Sequence, residues 1–530
     1  MDSGRRSDTL FWTVVFALFL FTRWPAFSNY LSIDNVNLAF ALEKFDPRVH
    51  QPQPPGYPLF VLKARAVNFV VRDPETTFRL LSLGVSALCL PLAFFLARRM
   101  FGDWQARAAV LLLLVNPVFW FGSIESPLRP FLALFSLLTA YCGWRCWHGE
   151  RQYLLLGAVA LGIGSGFRPD LGPFLFPLWL LCAWMGTRSV VEVAKGTALM
   201  AIVVGAWLSG MAYAVGGFGA LYQLNAEYAV SQSARQSLAL GATERAWIRQ
   251  LSRLVVWNGT AMLAWIWSIP IFLKFRDRVQ PYLAHMAFVL VWVLPGMLFQ
   301  GIVHVEDPGH TLFSIPAWCI LGGGLLFAAI KEADSMRETL LALGLVLNTM
   351  LFVGFLELPA ASEPTGGLHS LKNTVVFSTF ETSLDRLRYM NNAARTTLDE
   401  MKTFAAKDRP TVIVTSDVDT GNWFLNWRIA RYYLPTTDMW VLTDLVAPHT
   451  AQRIRRDIAT PAVQGAPVQV PVPRGGRVIW MIEPGGPFQK ALKQALPGVT
   501  GGAYLSYTDI GVETTPFRVM DFEFVPTGSK

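Results

Sequence analysis

Charge is scarce in this sequence. Lys, Arg, Asp and Glu make up 15% of its 530 residues, against roughly 25% in an ordinary soluble domain. Cysteine is scarcer still, and its five positions (Cys89, Cys142, Cys146, Cys182 and Cys319) all lie in apolar runs. With none in the polar C-terminal region, a disulfide framework there is excluded. Cys142 and Cys146, one helical turn apart, read as buried thiols. The N-terminus "MDSGRRSDTLFWTVVFALFLFTRWPAF" has the basic start and apolar stretch of a signal peptide but no small-x-small cleavage site. It reads instead as an uncleaved first transmembrane helix. No repeat relates two halves of the apolar part. No zinc-finger, homeodomain or basic-zipper pattern occurs, so the net charge of +8 does not mark a nucleic-acid partner. It reflects Lys and Arg held at cytoplasmic loop ends, with membrane lipids as neighbours.

What is abundant is apolar length. Hydrophobic residues make up 53% of the chain, with 37 Phe and 19 Trp, and the mean hydropathy is +0.37. Runs that can cross a bilayer, about 17–25 residues each, lie near 9–28, 79–98, 106–122, 129–147, 151–168, 171–187, 197–218, 253–274, 281–302, 311–330 and 338–358. That predicts a polytopic α-helical membrane protein of about eleven transmembrane helices over residues 1–358. With the N-terminus cytoplasmic, Arg98, Arg99, Arg107, Arg145, Arg151, Arg188, Lys195, Lys274 and Lys331 fall inside. Only Arg129 and Arg168 then fall in short outer loops, as the positive-inside rule requires. Residues 359–530 differ in kind. "TVIVTSD", "MWVLTD" and "RVIWMIE" read as buried strands, while "SLDRLRYMNNAARTTLDEMKTFAA" and "NWFLNWRIARYYL" have helical periodicity. This predicts a soluble C-terminal α/β domain on the outer, periplasmic face.

On this topology the outer face collects the first loop at 29–78, "GSIESPLRP" at 122–130, "GFRPD" at 166–170, "HVEDPGH" at 304–310 and the amphipathic stretch 227–250. Ionisable groups at membrane depth are costly and usually functional. An acidic residue soon after the first span, followed by "HQPQPPGYPLF", resembles the integral-membrane glycosyltransferases of the GT-C superfamily. The resembling branches are the polyprenyl- or dolichyl-phosphate-mannose and aminoarabinose transferases. The likeness runs through "ESPLRP", "GFRPD" and "HVEDPGHTLFSIPA"; "DPGH" departs from the aromatic or tyrosine-rich form of related proteins.

The resemblance implies transfer of a sugar from a polyprenyl-phosphate donor to an acceptor hydroxyl. It places this at the outer face of a bacterial inner membrane, with Asp34 as catalytic base and inversion at the anomeric carbon. It leaves the sugar and the acceptor (glycan, lipid or protein) unspecified. The donor phosphate is already a good leaving group and needs cationic or metal stabilisation more than a general acid, whereas the attacking hydroxyl must lose its proton.

Each residue also has a plainer reading. Asp34 can cap the helix "NVNLAFALEKF", and Asp46, before Pro-Arg, can form a turn. His50 either contacts substrate or is solvated. Tyr57 ends a Pro-Pro-Gly-Tyr run that stiffens a wall of the site. Glu125 is a second acid, a metal ligand or the partner of Arg129. Arg168 is the first choice to clamp phosphate, because guanidinium matches phosphate geometry, or else it pairs with Asp170. His304, Glu306, Asp307 and His310 have spacing that permits a divalent metal, or form a polar turn. Arg235 and Arg245 track lipid headgroups or face solvent. A transporter or flippase of lipid-linked sugars is the alternative class, and it calls for repeats and broken mid-membrane helices. A third class, a non-catalytic scaffold, leaves the outer-face carboxylates without a role.

Overall fold

A computed structural model describes residues 2–234, 236–237, 240–274, 276–330, 334–354, 367–405, 408–416, 426–443, 449–455, 458–459, 463–465, 467–502 and 504–528. The chain divides into two compact units. One comprises Met1–Ser28 and Leu38–Arg388, the other Asn29–Asn37 and Tyr389–Lys530. This division differs from the expected boundary at 358 in two respects. Helix Gly367–Phe380 belongs to the first unit, where Trp257 Nε1 donates to Ser378 O at 2.8 Å. Residues 29–37, from the first loop, belong to the second.

The first unit is helical and multi-pass. Among the described residues, five helices are long and apolar enough to cross a membrane: Asp8–Ala26, Pro74–Phe101, Val190–Val215, Gln280–Ile302 and Asp334–Val353. A sixth crossing is added if Asp103–Val115 and Pro117–Glu125, bent by 55°, count as one. The bend has a local cause. Asn116 accepts from Phe119 N–H at 3.1 Å, and Pro117 starts the second helix without an N–H of its own. Three further runs form shorter apolar helices, Gln152–Phe167, Leu171–Thr187 and Ile315–Ala329. The run expected at 253–274 is broken into Glu244–Thr260 and Ser268–Lys274. All five cysteines are buried thiols.

Packing relies on aromatics and glycines. Trp120 stacks on Phe352 at 4.1 Å and Phe131 on Phe167 at 4.3 Å. A Cβ at Gly323 would lie 2.7 Å from Gln105 O and 2.9 Å from Ala109 N, so helices Ile315–Ala329 and Asp103–Val115 meet backbone to backbone.

The second unit is built on an eight-stranded sheet. Strand Thr411–Ser416 lies at its centre, parallel to Asp438–Thr443 on one side and to Arg477–Met481 on the other, with Val414 opposite Trp440 and Trp480. Antiparallel strands flank these three. Alternation sends Ile413 to one face, with Leu398, Met401, Ala430 and Met439, and sends Val412 and Val414 to the other. That second face packs on Phe488, Leu492 and a three-stranded sheet of Phe517–Val519, Phe522–Thr527 and Val468–Pro473. The edge-to-face pair Trp480–Phe524, at 5.2 Å, adds about 0.5–1.5 kcal/mol beyond its buried area. The α/β expectation therefore holds, while "NWFL", at the start of the second expected helix, lies outside the described residues.

Candidate functional site

Three loop ends of the membrane unit place their charges together. Where helix Gln152–Phe167 stops, Arg168 donates to Asp170 through Nε at 3.2 Å and Nη2 at 2.8 Å. Its guanidinium lies 5.4 Å from the centre of the Tyr57 ring. Tyr57 itself sits in the left-handed region (φ 44°) immediately before helix Pro58–Val71. Arg129, before helix Pro130–Trp147, has its Nε 3.4 Å from Asp307. Asp307 in turn accepts from Gly309 N–H at 2.7 Å and so caps the turn Pro308–Phe313. The plain glycine at 309 is needed there, since a Cβ would lie 2.6 Å from Arg129 Cγ.

His304 and His310 complete the group, their rings 5.7 Å apart, and His304 Nε2 is 3.9 Å from Glu306. Burial first, then the charges of Arg129 and Arg168, push His304 down to about 4 and His310 well below the ordinary histidine value. Burial alone would raise Asp170, but the charge and hydrogen bond of Arg168, with Arg129 beyond, outweigh it and hold the carboxyl below its ordinary value. The result is two buried guanidiniums, two carboxylates and two neutral imidazoles, an arrangement suited to an anionic group.

A face of helix Glu244–Thr260 fixes the loop that carries this group. Trp247 Nε1 donates to Gly301 O at 3.1 Å, Gln250 Nε2 to Gln300 O at 2.7 Å and Arg253 Nη1 to Val305 O at 3.5 Å. Gln300 Nε2 then donates to His310 O at 2.8 Å. Arg253 is also paired with Glu381, Nε to Oε2 at 2.9 Å and Nη2 to Oε1. Neither Arg253 nor Glu381 was among the expected site residues. The signal for Arg253 was present, because a charge at the edge of an apolar run is itself a functional flag. Glu381, beyond the last expected span, carried no such signal.

Several other expected residues have local settings of their own. Asp46 is a turn former: its carboxylate accepts from Arg48 N–H at 3.2 Å and Nε at 2.9 Å, and its backbone pairs with Gln51. His50, also left-handed (φ 57°), meets the edge of the Tyr228 ring at 5.9 Å. Glu125 ends helix Pro117–Glu125, and Arg129 has an ion pair with Asp307. Arg245 is exposed, and Arg235 lies outside the described residues. Among the described residues no group of three or more His, Cys, Asp and Glu is arranged to hold a metal ion. The metal spacing read at 304–310 is therefore not realised, since Asp307 is engaged by Arg129 and Gly309. Asp34 belongs to the other unit, half-buried in the first turn of helix Ile33–Glu43. It lies inside the helix, with Ser32 at the preceding cap position and Val36 N–H donating to Ser32 O at 2.8 Å.

Residues 52–210 match the family model described as dolichyl-phosphate-mannose-protein mannosyltransferase. Over its whole length the chain is similar to ArnT from Cupriavidus metallidurans, with a TM-score of 0.60 and 14% identity, covering 96% of this chain and 98% of that one. The fold is that of ArnT. A second structure of that protein, bound to undecaprenyl phosphate, matches with a TM-score of 0.53 and 13% identity over 84% of this chain and 94% of its own. Among curated proteins, the undecaprenyl phosphate-alpha-4-amino-4-deoxy-L-arabinose arabinosyl transferase of Pseudomonas paraeruginosa is 26% identical over 299 residues. That match covers 53% of this chain and 52% of the relative, about half the length of each. The ArnT fold is the one that the resemblance to the GT-C superfamily implied.

Proposed function

We propose that this chain is a membrane glycosyltransferase, moving a sugar from a polyprenyl-phosphate donor to an acceptor hydroxyl at the outer face of a bacterial inner membrane. The observation that carries this reading is the group of buried Arg129 and Arg168 with half-buried Asp170 and Asp307, of which Arg129, Arg168 and Asp170 lie within the stretch matched by the mannosyltransferase family model. Two guanidiniums already held beside carboxylates can accept a phosphate without leaving a buried cation uncompensated. As the donor's glycosidic bond breaks, negative charge grows on that phosphate, and fixed cations stabilise it most at that moment. The relative named for an undecaprenyl-phosphate-linked sugar, and the ArnT structure holding undecaprenyl phosphate, favour a donor of that class.

Asp34 is the base in this reading. In the first turn of a helix a carboxylate is favoured in its ionised form by the helix dipole, and the ionised form takes the acceptor's proton. A single displacement then inverts the anomeric centre. Purified protein in nanodiscs, given undecaprenyl-phosphate-mannose or undecaprenyl-phosphate-4-amino-4-deoxy-L-arabinose with candidate acceptors, should release undecaprenyl phosphate. In sealed proteoliposomes, movement of intact donor across the bilayer without release would replace this reading with a flippase.

A further inference from the structure

The backbone that leads into Asp34 is held by side chains of the C-terminal domain. Within the second unit, Asn29 N–H donates to Asn391 Oδ1 at 2.9 Å and Leu31 N–H donates to Tyr433 Oη at 2.7 Å. Between them, the Tyr30 ring meets the Tyr433 ring edge-on at 5.3 Å and packs against the core that contains Leu398, Met401 and Ala430. Three successive residues are thus anchored: backbone, side chain, backbone. Helix Ile33–Glu43 begins two residues later, and Asp34 is in its first turn.

We propose that Tyr433 and Asn391 are positioning residues that set the place of the Asp34 carboxylate for proton transfer. This rests on the reading of Asp34 as base. A general base must be held within about 0.5 Å of its productive position, and a loop ahead of a helix does not supply that unaided. The two side chains take the backbone N–H groups at 29 and 31 out of exchange with solvent, while Tyr30 resists rotation of the segment between them. An anchor on the backbone of the base acts in proton transfer, so their contribution is to kcat and not to donor binding. The domain acts on the reaction by holding a backbone, with no domain side chain taking part in bond making.

The experiment uses the full chain in nanodiscs, with whichever of the two undecaprenyl-phosphate sugars the wild type consumes. Tyr433→Phe keeps the ring contact with Tyr30 and deletes only the oxygen that accepts from Leu31. It should leave melting temperature and donor KM unchanged, lower kcat about tenfold, and speed amide hydrogen exchange at 29–32. Asn391→Ala should do the same at Asn29, and Asn391→Asp, which keeps an acceptor oxygen, should restore the rate. In an Asp34→Asn background Tyr433→Phe should cost nothing further. If Asp34→Asn is inactive while Tyr433→Phe and Asn391→Ala keep wild-type kcat, the positioning role falls and the base survives. If Asp34→Asn turns over at the wild-type rate, both fall together. A loss in Tyr433→Phe that persists undiminished in the Asp34→Asn background, or that comes with weaker donor binding or lower melting temperature, makes the anchors merely structural and overturns the proposal.

Discussion

Ion pairs at three loop ends of the membrane unit and at two surface sites of the C-terminal unit have the same chemistry and different surroundings. Arg129–Asp307, Arg168–Asp170 and Arg253–Glu381 have arginine side chains that are 9–10% exposed. In the C-terminal unit, Arg453–Asp438 and Arg409–Asp509 keep 30% or more of both partners in solvent. Exposed pairs contribute little, about 0–1 kcal/mol, and cost little to form. Buried pairs carry a desolvation penalty that an apolar replacement would avoid. A chain that retains three of them around its loop ends gains something other than stability, and fixed charge for the phosphate of the proposed donor is a use that fits.

The largest expected effect tests whether chemistry also needs a residue outside that buried set. Asp34→Asn should lower kcat by about 10²–10⁴-fold with donor affinity retained, the loss typical of a missing general base. Rapid-quench turnover beside a donor-binding titration measures it. Asparagine is as good as aspartate near a helix start, so a wild-type rate would identify Asp34 as a purely structural helix residue.

Next in size is the loss of one buried partner. Arg253→Met leaves Glu381 without its bidentate donor, and Arg168→Met does the same to Asp170. Each should destabilise by about 3–5 kcal/mol, seen as a lower melting temperature in nanodiscs. The two should separate on donor binding: Arg168→Met should abolish it, whereas Arg253→Met, combined with Glu381→Leu to remove both charges, should regain stability and binding. Gly309→Ala, which forces the Arg129 stem aside, should cost about 1–3 kcal/mol.

The pH dependence sharpens the same contrast. His304 is held down to about 4 by burial and then by Arg129 and Arg168. Its depressed value means that its share of stability is intact above the unfolded value near 6.5 and is lost as pH falls through 4. Melting temperature should therefore decline across that window, and His304→Gln should flatten the decline. The smallest effect belongs to the exposed pairs, where Arg453→Gln should cost no more than about 1 kcal/mol. A cost as large as that of Arg253→Met would erase the distinction between the two regions.

Much of this architecture could be read along the chain. Apolar length located membrane helices, and short apolar runs bounded by polar turns located buried strands such as Thr411–Ser416, because both depend on neighbours in sequence. The kink at Asn116–Pro117 went unread inside a continuous apolar run, although an Asn-Pro step is a turn signal. Of the site, Arg168–Asp170 was visible as a local pair. Arg129–Asp307 and Arg253–Glu381 join distant segments, and no periodicity reports which partner a loop end will find. The same limit hid the anchoring of Asn29–Leu31 by Asn391 and Tyr433, since a backbone N–H has no sequence signature at all.

The backbone contact at Gly323 bears on how this protein can move. Helices Ile315–Ala329 and Asp103–Val115 touch with only a hydrogen's width at that glycine. Sliding one past the other by a turn would bring Cys319 or Ile320, or Leu326 or Phe327, to the contact, and each is bulkier than glycine. Axial shear of the pair thus has no neighbouring resting place, and the two helices act as a single stiff beam. Any opening that admits the isoprenoid chain of the proposed donor must come from hinging at the loops or from side-chain rotation elsewhere. A bulkier residue at 323 would act by splaying the beam, so its harm should appear in every step of turnover alike.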